Sequence, residues 1–325
     1  MPRLNIISII FCTLLLCSCT RSRFVVISGY AQGGTYTVKA DIAGTGTPQK
    51  KIAQEIENLL TTIDTTLSGY NRSSLLSRFN AGEEVEPTEM FKDILRISEK
   101  FNESTGGAFD VWAAPLFDVW GFGFKTDSLP DATRVAEAME LAREHKKLNF
   151  NAIAQGYSCD VIARYLHSIG VTNMLVDIGE IYCEGLNPKG RGWSIGIDTP
   201  IDGNNTPGAS LSGIWESDGG AHGVVTSGNY RKFYVKDGRK YAHTIDPRTG
   251  YPVDHNLLSA TVVAPTATEA DALATCFMVV GFDEARRYTE AHPGIEACLI
   301  CSDNIWYSDD FRLSQVSDNP GAVKF

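Results

Sequence analysis

Apolar residues recur at helical spacing in several stretches of the chain. Residues 49–66 place Ile52, Ile56, Leu59, Leu60 and Ile63 on one face. Residues 88–103 do the same with Met90, Phe91, Ile94, Leu95, Ile97 and Phe101, behind Thr88 as an N-terminal cap. Further helices are predicted from about Ala132 to His145, from Gln155 to Ile169 with a stop at Gly170, and from Thr268 to Val280 with a stop at Gly281. Shorter alternating or apolar runs read as strands: Tyr36–Ile42, Met174–Ile178, Trp193–Ile197, Gly223–Thr226, Lys232–Lys236 and Ala260–Ala264. Asp237-Gly238 between Phe233-Tyr-Val235 and Lys240-Tyr-Ala242 reads as a hairpin turn. Interleaved strands and helices with a hairpin predict an α+β body: a mixed or antiparallel sheet core with flanking helices, in one unit with two lobes.

The N-terminus changes this picture. A single early charge, Arg3, precedes the apolar run Ile6–Leu16. Eleven helical residues span about 16 Å, too short for a hydrocarbon core of about 30 Å, so the run reads as an export signal. It ends in Leu16-Cys17-Ser18-Cys19, which resembles a bacterial lipobox. That resemblance implies a signal peptide over 1–18 and lipidation of Cys19, with a tether over 19–28; no later run approaches the roughly 18 apolar residues needed to span a membrane, so 29–325 is expected to be a soluble catalytic domain. The lipid anchor would place the protein on a bacterial membrane, facing the periplasm. With 325 residues, 29 Lys+Arg against 39 Asp+Glu and a net charge of −10, the body can form an ordinary core and lacks the positive surface that non-specific nucleic-acid binding needs. Beyond Cys19 the body holds five cysteines, an odd number. Cys298-Leu-Ile-Cys301 lies in an apolar run that reads as a buried strand, where cysteines serve as small hydrophobes, and no second pair completes a zinc set.

Four segments carry candidate chemistry. In Thr268-Glu-Ala-Asp-Ala-Leu-Ala-Thr275, Asp271 and Thr275 are one helical turn apart. A carboxylate and a hydroxyl on one face suit a hard cation such as Mg²⁺. Thr268 and Asp271 also fit a capping box, which would use the same carboxylate on the helix's own amides. His243 precedes the turn Asp246-Pro-Arg-Thr-Gly250; histidine is a residue type suited to general-base work near neutral pH, or it orients the turn. Thr105-Gly-Gly-Ala-Phe-Asp110 offers close backbone approach beside an aromatic and a carboxylate, and Tyr70 could stack on a flat ring. Each of these is equally readable as packing. Asn149-Phe-Asn-Ala-Ile-Ala-Gln-Gly156 leads into a helix whose first amides favour an anion, or is an ordinary turn.

Taken in order, Leu67-Ser-Gly-Tyr70, Ser77-Arg-Phe-Asn80, Gly107-Ala-Phe-Asp110, Val176-Asp-Ile-Gly179, Trp193-Ser-Ile-Gly-Ile197, Thr226-Ser-Gly-Asn-Tyr-Arg231, His243-Thr-Ile-Asp-Pro-Arg-Thr-Gly250 and Ala270-Asp-Ala-Leu-Ala-Thr275 resemble the ApbE family, the FAD:protein FMN transferases. The resemblance covers about Gly34 to Gly281. It implies a Mg²⁺-dependent enzyme that cleaves FAD and moves FMN to a Thr or Ser hydroxyl of an exported or membrane flavoprotein, such as a subunit of an electron-transfer complex, releasing AMP. It implies metal ligands at Asp271, Thr275 and the Ala152 carbonyl, and flavin contacts at Tyr70, Ala108, Phe109 and Asp110. Nucleotide contacts fall at Asn149, Gln155 and Thr244, with His243 as base or orienter. The alternatives are a Mg²⁺-dependent FAD pyrophosphatase and a flavin-binding lipoprotein without turnover.

Three departures bear on this. Asn149 and Gln155 stand where the family has an acid and a lysine, which keeps hydrogen bonding and loses charge. Val176-Asp-Ile-Gly-Glu180 lacks one of the family's glycines, and Gly33-Gly34-Thr35 stands for its Met-Gly-Thr. The metal and histidine motifs are intact, so catalysis is expected.

Overall fold

The computed structural model describes residues 22–122, 129–201, 204, 206, 208–229, 233–236 and 239–314, with backbone alone over 233–236 and 239–241. The export signal, Cys19, most of the tether's start and the Asp237-Gly238 turn lie outside them. A hairpin of β1 (Phe24–Ala31) and β2 (Gly34–Asp41) opens the fold. Then comes a long helical stretch: α1 (Gln49–Leu67), α2 (Leu75–Asn80), α3 (Glu89–Ser104), a single 3-10 turn at Val111–Ala113, α4 (Ala114–Val119), α5 (Ala132–Arg143) and α6 (Ala154–Ser168). Strands follow as β3 (Met174–Asp177), β4 (Ile181–Glu184), β5 (Ser194–Asp198), β6 (Leu211–Glu216), β7 (His222–Gly228), β8 (Phe233–Lys236), β9 (Arg239–Ala242), β10 (Ile245–Asp246), β11 (Tyr251–Pro252) and β12 (Leu257–Ala264). The chain closes with α7 (Ala267–Val280), α8 (Phe282–Ala291), β13 (Glu296–Cys301), β14 (Ile305–Tyr307) and β15 (Leu313–Ser314).

The main sheet has eight strands in the order β1-β2-β3-β4-β7-β12-β13-β14, every neighbouring pair antiparallel. The expected α+β body is therefore present, in its antiparallel form. Strands β2 and β3 are neighbours although the whole helical stretch lies between them. One face of the sheet packs on α1 and α6 through Val38, Ile52, Ile56 and Ile162, and on α7 and α8 through Val225, Val262, Leu273 and Ala285. The other face is covered by the smaller sheet β15-β6-β5, with Trp193, Ile195 and Trp215 against Val224, Val263 and Ile300.

Local punctuation explains where helices begin and end. Thr88 accepts the Phe91 N–H at the start of α3, as its position predicted. Gly281 ends α7 at φ 80°, a backbone setting that favours glycine. Helix α7 buries 11 of its 14 residues, so it is a central element rather than a surface one. Its neighbours are α6, α8, β7 and β12.

The cysteines behave as core residues. Cys159, Cys183, Cys276, Cys298 and Cys301 are free and buried. An odd spacing in a strand sends Cys298 and Cys301 to opposite faces, one against the small sheet and the other against α7 and α8. Burial pushes the Cys298 thiol up to about 12. Native labelling with a thiol reagent should therefore leave these five unmodified in peptide mass spectra until denaturant is added.

Candidate active site

Helices α6 and α7 cross in close contact, and glycine is what permits it. A Cβ on Gly156 would lie 2.2 Å from the Ala267 carbonyl oxygen and 2.8 Å from Asp271 Cβ. The close approach lets the Gly156 N–H, in the first turn of α6, donate to Asp271 Oδ2 at 2.9 Å. Helix α6 has no capping side chain of its own at Ile153, so Asp271 reaches across from α7 to serve its start. Asp271 is 4% exposed. Burial pushes its carboxyl up to about 7; the Gly156 N–H pulls it down and nearby Asp160 pushes it further up. We expect Gly156→Ala to force the two helices apart and lower unfolding stability by about 1–3 kcal/mol in urea denaturation.

The capping-box reading of Asp271 is corrected here. The helix starts at Ala267 with Thr266 as its cap, whose side chain accepts the Glu269 N–H at 3.1 Å. The first-turn amides of Ala267 and Thr268 donate to Asp160 at 3.0 and 2.9 Å, and the Thr268 hydroxyl also donates to Asp160. Asp271 is thus free of α7's own amides. One turn on, Thr275 is the single residue between Ala270 and Val279 that is not buried. Its Oγ1 lies 3.5 Å from Ser227 Oγ on β7. Among the described residues no three His, Cys, Asp or Glu side chains gather around a common point. A cation here would draw on one carboxylate, one hydroxyl, backbone carbonyls, water and substrate oxygens. That is a set suited to Mg²⁺, and a buried, unneutralised carboxylate favours such a charge.

Several of the other expected residues lie on the turn before α6 or are tied to it. Ala152 sits two residues before α6, in the turn whose Phe150 carbonyl accepts the Ile153 and Ala154 N–H groups. Asn149 donates its N–H to the Val111 carbonyl and accepts the Asn151 N–H on Oδ1. Asn151 in turn donates to the Tyr70 hydroxyl at 3.3 Å. Tyr70 and Asn149 are therefore brought to one rim, beside the Gly106–Asp110 turn. Tyr70 is 71% exposed, consistent with a ring offered to a ligand. Ala108 and Phe109 are buried, and Phe109 packs its ring on Phe101. The Phe109 N–H goes to Thr105 Oγ1 and its carbonyl accepts Asn102 Nδ2, so neither its ring nor its N–H is presented outward. Asp110 caps the 3-10 turn through the Trp112 N–H; burial raises its carboxyl, and that N–H and His145 pull it partly back.

Gln155 lies in the first turn of α6, beside Gly156, and its Nε2 donates to the Ile178 carbonyl between β3 and β4 at 2.9 Å. His243 is half-buried, with the Phe122 ring edge-on at 6.4 Å. Thr244 is buried and donates its hydroxyl to Asn229 Oδ1 at 2.6 Å. The turn beyond is set by Asp246, which accepts the Arg248 N–H and both guanidinium arms. A Cβ on Gly107 would meet Arg248 Cγ at 3.7 Å, and Cys276 on α7 feels both Arg248 and Thr105. The glycine turn, the histidine loop and α7 thus meet at one place.

Sequence reasoning missed Asp160, Ser227, Asn229 and Asn151. Alternation along β7 was the available signal for Ser227, since Val225 packs on α7 and Ser227 shares its face. Asp160 gave no local signal, because its partners are 107 and 108 residues away.

The model of the ApbE family matches residues 32–299. The chain is 34% identical over 304 residues to the FAD:protein FMN transferase of Vibrio cholerae, covering 86% of this chain and 88% of the relative. It is 31% identical to the FAD:protein FMN transferase of Haemophilus influenzae, covering 90% and 91%. Among solved structures, the flavin transferase ApbE from Vibrio cholerae superposes with a TM-score of 0.77 at 30% identity, over 90% of this chain and 99% of that one.

Proposed function

The chain belongs to the ApbE family, and from that membership we propose that it is a Mg²⁺-dependent FAD:protein FMN transferase. The observation that carries the reading is Asp271: a buried carboxylate with a single N–H donor, one turn from the partly open Thr275 hydroxyl. Asp271 and Thr275, with the Ala152 carbonyl, would hold Mg²⁺. Bound there, the ion would supply neutralising charge for the pyrophosphate of FAD.

The chain's own residues perform the rest. Tyr70 and Asp110 receive the flavin, and Asn149 and Thr244 the nucleotide side; stacking on Tyr70 adds about 1 kcal/mol beyond burial. His243 takes the proton from a Thr or Ser hydroxyl of the acceptor protein, which is otherwise a weak nucleophile. The hydroxyl oxygen bonds to the FMN phosphorus, the pyrophosphate bridge breaks, and AMP leaves with the bridging oxygen. The acceptor is an exported flavoprotein or a subunit of a membrane electron-transfer complex. Lipidation of Cys19 keeps the enzyme on the membrane, facing the periplasm. Among the described residues no helix is long and apolar enough to cross a membrane.

The test is intact-mass spectrometry of a candidate acceptor incubated with the protein, FAD and Mg²⁺. An FMN-sized gain with matching AMP is expected. Steady AMP release with unmodified acceptors would favour the pyrophosphatase reading, and tight FAD binding without AMP the non-catalytic one.

A further inference from the structure

Helices α6 and α7 are joined by two polar rungs. The first is the Gly156 N–H on Asp271. The second is Asp160, one turn further along α6, whose carboxylate accepts the Ala267 and Thr268 N–H groups and the Thr268 hydroxyl. Asp160 is 6% exposed, so these partners are made away from water. The contact leaves little slack. Gly156 has no space for a Cβ against α7, and a Cβ on Gly223 of β7 would lie 2.3 Å from the Thr266 carbonyl oxygen on the opposite side.

Two rungs a turn apart fix both the slide and the rotation of α7 along α6. Rotation decides whether Asp271 and Thr275 face the turn that carries Ala152, since all three sit on these two helices or just before them. Thr266 already caps α7 through the Glu269 N–H, so the helix start is not left unserved without Asp160.

We propose that Asp160 is a positioning residue for the cation site: by gripping the first turn of α7 it holds Asp271 and Thr275 in the register that binds the metal. This rests on the proposed Mg²⁺-dependent reading. Asp160 itself touches neither metal nor FAD. Its effect is on metal affinity, on the scale of about 10-fold seen when groups that orient a ligand are removed.

The experiment compares wild type, Asp160→Asn and Thr268→Val as full chains. Thr268→Val keeps both amide bonds and removes only the hydroxyl, so a folded variant is available if Asp160→Asn proves unstable. Three readouts are taken: Mg²⁺ binding to metal-stripped protein by calorimetry, the Mg²⁺ concentration for half-maximal AMP release, and amide exchange at Ala267 and Thr268. The expected result is weaker Mg²⁺ binding and a half-activation point raised by about 10-fold in Asp160→Asn, with a smaller shift in Thr268→Val. The KM for FAD should stay near wild type, and turnover should recover at saturating Mg²⁺. Faster exchange at the two amides with unchanged Mg²⁺ affinity would make Asp160 a helix cap and overturn the proposal. Loss of FAD affinity and turnover together, without rescue by Mg²⁺, would overturn it as well. If wild type takes up no Mg²⁺ at all, the functional reading fails and this inference fails with it.

Discussion

Asp271→Asn is expected to abolish Mg²⁺-dependent flavin transfer and yet leave the metal-free protein more stable than wild type at pH 8. The two effects share a cause. The carboxylate is the only charged ligand in the proposed oxygen set, so its loss removes the cation's anchor. Without the cation, however, an ionised group there is held in a buried site. Burial pushes its carboxyl up to about 7 in the fold, well above the ordinary carboxylate range. Below about pH 4 both folded and unfolded chains hold the proton, and this group has no effect on stability. Between about 4 and 7 the unfolded chain releases it while the fold retains it, so the stability of the metal-free protein falls as pH rises. Above about 7 the penalty is complete, on the order of a few kcal/mol. Thermal melts of metal-stripped wild type should therefore decline from pH 4 to 7 through this group. The asparagine variant should lack that component, and added Mg²⁺ should restore only the wild type. If the variant still turns over with Mg²⁺, Asp271 serves only to cap α6.

His243→Ala carries the second large effect. The histidine lies between β9 and β10, just before the turn fixed by Asp246 and Arg248, with the Phe122 ring edge-on to it. As the base that takes the acceptor's proton, it should contribute about 10²- to 10⁴-fold to the transfer step. FAD binding should change far less, because Tyr70, Asp110 and Asn149 lie on other elements and the neighbouring Thr244 stays tied to Asn229. Single-turnover transfer and a fluorescence titration with FAD separate the two. Equal losses in both would assign His243 to the architecture of the loop.

Much of this was legible along the chain. The apolar faces of α1 and α3, the Thr88 cap, and the stops at Gly170 and Gly281 depend on residues within a turn of one another, and local spacing carries that information. The cysteines of β13 were also readable as core, because an apolar run with an odd spacing cannot pair them on one face. What failed was the assignment of polar partners across distance. Thr268 and Asp271 have the spacing of a capping box, but Asp160, more than a hundred residues earlier, takes the Thr268 N–H and hydroxyl. Asp271 then serves the start of a different helix. The family resemblance implies a nucleotide contact at Gln155, and in the fold its amide donates to the Ile178 carbonyl after β3, a partner that local spacing does not reveal. A buried hydrogen bond is chosen by the global packing, and the local sequence states only which groups are available for it.

The most direct measurement is calorimetric titration of Mg²⁺ into the metal-stripped protein with FAD present, run on wild type and Asp271→Asn. Saturable uptake of a single ion by wild type, and none by the variant, is the expected result. Equal uptake by both, or flavin transfer by wild type that persists undiminished in a metal chelator, would contradict it.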